Sequence, residues 1–214
     1  ASVEGAYFAK QMALIRRESR MTRVPFDPRV EVDTWWDIGY DDYTAIIFTQ
    51  TVSRELRVID YYEANQEDIS HYVRYLGLLP YRFGRHTMPH DADSKSLQTG
   101  KSTRQIAQEH GLKSIFIADR PNTKQSSIDQ ARSIFSFLWI DEAKCSRLIT
   151  CLDNYRKRWN DKLGQWDDEP VHDEFSHGAD AFQVLASKFK ADLLGQPKEI
   201  QTTEEQKDPY GIFT

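Results

Sequence analysis

Residues 30–63 constrain the fold more than any other part of the chain. Three runs rich in β-branched and aromatic residues, at 30–39, 43–50 and 55–63, follow one another with only short connections. Such connections are too short for a crossover, so the three strands must be antiparallel neighbours. In the third run Leu56, Val58 and Tyr62 alternate against Arg57 and Glu63. The first run contains an anomaly. Asp37 stands in the apolar stretch WWDIG, and burying an ionised carboxylate is costly unless something pairs with it.

The pattern then changes. A helix is expected over 67–79, stopped by Gly77 and Pro80, then a weak fourth strand at 85–91. Residues 103–110 read as a helix with Gly111 as its stop, and 113–118 (KSIFIA) as a buried strand. Helices are expected over 126–138, 145–159 and 177–194, the last with Phe182, Leu185, Ala186, Phe189 and Leu193 at helical spacing. Ahead of the strands, 4–21 reads as a helix with a basic end at Arg16, Arg17, Arg20 and Arg23, broken by Pro25 and Pro28. The expected fold is α/β, a mixed sheet with three antiparallel strands first and helices on both faces. Residues 1–28 form an N-terminal helix and linker, 29–195 the main domain, and 196–214 a polar, mobile tail.

A length of 214 residues with 39% hydrophobic and 12% aromatic content suits one folded domain with a substantial core. A net charge of −5 argues against a strongly basic, non-specific nucleic-acid binder but leaves room for a local basic patch beside an acidic centre. No apolar run approaches the ~18 residues of a membrane span. The N-terminus lacks the basic and apolar regions of a signal peptide and does not begin with Met, which suggests a processed chain or a piece of something longer. Cys145 and Cys151 fit free thiols in a reducing compartment.

Asp37 has counterparts. MPHDADSK places Asp91 after the weak fourth strand, and SHGADAF places Asp180 near the start of the last helix among small and apolar neighbours. Taken singly, Asp180 reads as a helix-terminus acid, Asp91 as a turn residue and Asp37 as a strand end. Taken together at one sheet edge, the three would repel and raise one another's pKa values, a conflict that a divalent cation removes. Hard oxygen ligands without a nearby Cys favour Mg²⁺ or Mn²⁺.

The segments WDIGYDDYTAI, PHDADSKSLQTGKS and SHGADAFQVLA, in this order and at these intervals, resemble the nuclease domain of the large terminase subunit of tailed double-stranded DNA bacteriophages. EGAYFAKQM before the first strand resembles the segment that follows the packaging ATPase in that family, and RSIFSFLWIDEAKCSRLITCLDNYRKRWND resembles its later helices. The resemblance covers most of 4–190. It implies an RNase H-like fold with a mixed sheet of five or more strands. It implies Asp37, Asp91 and Asp180 as catalytic metal ligands, Asp37 bridging two ions and the others holding one each. Asp173 and Asp93 are possible additional ligands, with Glu174 also nearby, while Asp41 and Asp42 read as solvated turn residues. The implied reaction is two-metal phosphodiester hydrolysis in double-stranded DNA, cutting concatemers during packaging. The implied partners are duplex DNA and, in the full-length protein, the ATPase domain, portal and small terminase subunit, with no membrane. The implied location is the host cytoplasm at the procapsid portal, without secretion. The alternative is a non-catalytic DNA-binding or portal-docking module.

Candidate phosphate contacts are Lys95, Lys101 and Arg104, and secondarily Arg156, Lys157 and Arg158, which also read as a solvated helix face. LQTGKST imitates the end of a P-loop, but position 95 is Lys where the pattern needs Gly, so ATP binding there is rejected. DIGYDD also resembles the first phosphate motif of actin-like ATPases, without the second hairpin or the adenosine loop. His86, His90, His172 and His177 lack the arrangement of a tetrahedral zinc site and read as surface or site-supporting residues.

Overall fold

The computed structural model describes residues 3–39, 42–97 and 99–189. Asp41 and the tail expected at 196–214 lie outside the described residues. The strands in chain order are β1 (Met21–Thr22), β2 (Val32–Asp37), β3 (Tyr43–Val52), β4 (Glu55–Asn65), β5 (Phe83–Met88), β6 (Ile115–Ile117), β7 (Leu138–Asp141), β8 (Lys157–Asn160) and β9 (Gln165–Pro170). The α-helices are α1 (Ala9–Arg17), α2 (Ile69–Leu78), α3 (Thr103–Glu109), α4 (Lys124–Ser133), α5 (Ser146–Asn154) and α6 (Ser176–Lys188), with a 3₁₀ turn at His90–Asp93.

Seven strands form one sheet in the order β1-β7-β4-β3-β2-β5-β6. The β2-β3-β4 meander is antiparallel, as short connections demand. Strands β5 and β6 run parallel to β2 on one flank, and β7 runs parallel to β4 on the other. The strands β4-β3-β2-β5-β6 make the five-stranded mixed core, and β7 and β1 extend it.

Strand alternation divides the interior into two cores. Trp35, Ala45, Ile47, Leu56 and Val58 face Phe8, Met12 and Ile15 at α1, Ile128 on α4, Leu148 on α5 and Phe182 and Leu185 on α6. Trp36, Ile46, Phe48 and Ile59 face Tyr72 and Leu76 on α2 and Ala107 on α3. Val58 and Tyr61 share one face although three residues apart, because the register slips where Thr49 pairs Val58 and Phe48 pairs Asp60, leaving Ile59 as an extra residue. Helices therefore cover both faces, and each β2 side chain is committed to one of them.

Three expectations are corrected. The helix expected over 126–138 ends at Ser133, and after a 3₁₀ turn Leu138–Asp141 is a strand paired with β4. A four-residue apolar run has no period that separates strand from buried helix. The helix expected over 145–159 ends at Asn154. Tyr155 turns extended, and Lys157 onward forms the β8-β9 hairpin, so Arg156, Lys157 and Arg158 are not on a helix face. The helix expected over 4–21 is only Ala9–Arg17, and the chain beyond it adds β1 beside β7. The weakly patterned stretch at 85–91 holds an interior parallel strand only as far as Met88, with Phe83 and Met88 in the α2 core, and then turns into the 3₁₀ segment that carries Asp91.

Candidate active site

Because β2, β5 and β6 are parallel, their carboxyl ends meet at one edge of the sheet, where open α/β sheets place their ligands. Asp37 ends β2, Asp91 lies on the 3₁₀ turn after β5, and Asp119 and Arg120 follow β6. Helix α6 packs across the Trp35 face of β2 and β3 and brings Asp180 to the same edge. Asp37, Asp91 and Asp180 line one cavity of about 460 Å³, together with Asp119, Arg120, Asn122, Lys124 and Gln183.

The three acids have different surroundings. Asp37 is recessed, its side chain 23% exposed, and its Oδ2 lies 3.3 Å from His177 Nδ1. Burial is the main reason its pKa rises to about 6. The His177 contact opposes the rise, and the charge of Asp180 adds to it. The same contact raises the pKa of His177, against the effect of burial. Asp180 Oδ1 accepts hydrogen bonds from Lys124 Nζ at 2.6 Å, Gln183 Nε2 at 2.8 Å and Tyr155 Oη at 3.5 Å. Gln183 is 4% exposed, and among the described residues its Oε1 is the one buried side-chain oxygen or nitrogen without a partner. Asp91 is exposed at the cavity rim.

The remaining candidates fall outside the cavity. Asp173 accepts from the Phe175 amide in the turn that leads into α6 and pairs with Arg156 at 3.0 Å. Asp93 lies 3.6 Å from Arg104, Lys101 pairs with Glu109 at 2.7 Å, and Arg158 with Asp167 at 2.8 Å. Lys157 stands 6.0 Å from the Tyr7 ring, and Lys95 meets Ser102 in an isolated bridge on the exposed loop. Glu174 pairs with Arg147. Asp42 is exposed as expected of a turn residue, yet it contacts His172 at 3.3 Å, and ligand atoms of Asp42, His172 and His177 lie within 4.8 Å of one another. Sequence reasoning missed Lys124, Arg120, Asp119 and Gln183. A lysine opening a helix and an amide one turn after an acid are ordinary in sequence, so nothing marks them before the fold is known.

No family model matches the chain, and no curated protein does. Solved structures do. The large terminase of a thermophilic bacteriophage, in complex with ADP, superposes with a TM-score of 0.64 at 13% identity, over 84% of this chain and 44% of that one. The P22 large terminase nuclease domain gives 0.59 at 13% identity, over 79% and 88%. The large terminase nuclease of the thermophilic phage G20c with bound magnesium gives 0.57 at 12% identity, over 88% and 100%. This chain has the fold of a large terminase nuclease domain. It is RNase H-like, and it spans less than half the length of the ADP-bound large terminase.

Proposed function

We propose that this chain is a metal-dependent endonuclease of double-stranded DNA, cutting concatemeric viral DNA during genome packaging. The observation that carries the reading is the meeting of Asp37, Asp91 and Asp180 in one cavity at the carboxyl ends of β2 and β5, in a fold whose G20c representative holds magnesium. The donor set fits a hard divalent cation. It is made of carboxylates with amide oxygens nearby and no thiol in the lining, and burial, with the charge of Asp180 adding to it, raises the pKa of Asp37.

Asp37, Asp91 and Asp180 would hold Mg²⁺ or Mn²⁺, two ions in the active complex. When bound, such ions supply Lewis acidity at the phosphate and lower the pKa of an attacking water. His177 fixes the orientation of the Asp37 carboxylate, and Gln183 fixes that of Asp180, as outer-shell partners of metal ligands do. Arg120 lines the same cavity and offers a cation to the phosphate backbone. Lys95, Lys101, Arg104, Arg156, Lys157 and Arg158 would extend the contact. The pairs of Lys101 with Glu109, Arg104 with Asp93 and Arg158 with Asp167 lie at the surface and are weak enough for phosphates to displace, whereas the Arg156–Asp173 pair is more enclosed. The partners in this reading are duplex DNA and, through a complete large subunit, its ATPase domain, the portal and the small terminase subunit in the host cytoplasm.

Nicking and linearisation of supercoiled plasmid in Mg²⁺, Mn²⁺ or EDTA tests the proposal. The expected result is cutting that requires metal and is abolished in Asp37→Asn, Asp91→Asn and Asp180→Asn, each still folded. Retained DNA binding with no cutting under any metal would instead leave a binding module of the packaging motor.

A further inference from the structure

The cavity already contains a cation of its own. Lys124 Nζ is 2.6 Å from Asp180 Oδ1, and its charge also reaches Asp37, where it lowers the carboxyl pKa against the effect of burial. The lysine is firmly placed. It opens α4 directly after Thr123, whose side chain accepts from the Ser126 amide while Ser126 answers to the Thr123 amide. Its ammonium also lies 5.9 Å from the centre of the Tyr155 ring, and Tyr155 is itself fixed by Asp180 and Gln183. The pair is not a solvated surface contact, since the Lys124 and Asp180 side chains are 31% and 29% exposed at the cavity wall. One of the two Asp180 carboxylate oxygens, Oδ1, is thus occupied by an ammonium and an amide.

We propose that Lys124 is a placeholder cation. It balances Asp180 and Asp37 while the site is free of metal, it competes with the divalent ion for Asp180, and metal entry moves it off that carboxylate into the cavity. This rests on the reading of the three acids as metal ligands. Two like charges near one another destabilise a folded site, and a monovalent cation offsets part of that repulsion. The same cation must be displaced, and its repulsion overcome, before a divalent ion binds Asp180. The cost appears as weakened metal affinity, and the return is a site that stays folded without metal.

Mn²⁺ binding followed by electron paramagnetic resonance of the free ion, without DNA, tests this in wild type, Lys124→Met, Lys124→Arg and Asp180→Asn. Lys124→Met is expected to bind Mn²⁺ at least about tenfold more tightly than wild type, the scale of one close charge in a partly solvated site. Lys124→Arg keeps the charge and should stay near wild-type affinity. In EDTA, Lys124→Met should melt below wild type, and saturating Mn²⁺ should raise its melting temperature by more than it raises that of wild type. Equal or weaker Mn²⁺ affinity in Lys124→Met, with binding still lost in Asp180→Asn, would overturn the placeholder alone. Wild-type affinity in Asp180→Asn, or no binding by wild type, would overturn the metal-site reading and the placeholder with it.

Discussion

Single residues decide how closely α6 can approach the sheet and α5, and therefore where Asp180 sits. Gly178 is the clearest case. A Cβ built there would lie 2.9 Å from Cys151 Cβ and Sγ and 3.0 Å from Tyr61 Oη. Two effects compete in Gly178→Ala. Helix propensity favours alanine by up to ~1 kcal/mol, whereas forcing a methyl group into a packed interface typically costs about 1–3 kcal/mol. Cys151 Cβ cannot swing away without moving α5, so crowding wins. Gly178→Ala should lower the urea midpoint, a net loss of about 1 kcal/mol, and cleavage should fall with the displacement of Asp180. A midpoint equal to or above wild type would show that the α5–α6 contact yields easily. Asp37 illustrates what a sequence discloses at this scale. A carboxylate inside WWDIG announces a partner, but only the fold shows that His177, 140 positions away, is in contact with it.

At the scale of elements, the β2-β3-β4 meander was legible because short connections and alternation leave no other arrangement. Strands β7 and β8 were not, because each sits where a helical apolar pattern runs on past the end of a helix. At Leu138 the neighbouring strand β4 decides the outcome, and at Lys157 the pairing with β9 does. Both are long-range choices that no local window contains. The cavity wall carried by α4 was equally silent, although its start is well specified. Thr123 and Ser126 form a reciprocal cap at the N-terminus of a helix whose first turn is polar. Thr123→Ala removes that cap and should destabilise the domain by about 1 kcal/mol. The effect should be largest locally, as faster amide exchange at Ser126 and Ser127 than in α6. Uniform acceleration across both helices would mean that the cap contributes only to global stability.

For the whole molecule, the sheet separates two buried groups that respond to acid in opposite directions. His86 is 3% exposed on β5, bonded to Thr34 Oγ1 at 2.7 Å, and burial lowers its pKa from 6.5 to about 4. Its neutral form is native, so the stability it supports is full above about pH 6.5 and is lost as the unfolded chain takes up a proton on the way down to about pH 4. Asp37 behaves in the reverse sense. Its native pKa, about 6 against an ordinary 3.8, means that the folded state takes up a proton first, so acidification over nearly the same interval stabilises the fold. Each displacement corresponds to roughly 3 kcal/mol at its limit, so in EDTA the two largely cancel and the wild-type curve between pH 4 and 6.5 should be shallow with respect to this pair. The cancellation is lifted one residue at a time. Relative to wild type, His86→Gln should gain stability as the pH falls through that interval, and Asp37→Asn should lose it. Urea denaturation at half-unit pH steps reads both differences. Curves for the two variants that run parallel to wild type would mean that neither group titrates differently in the folded chain, and that the burial of His86 and Asp37 carries no electrostatic cost to the fold.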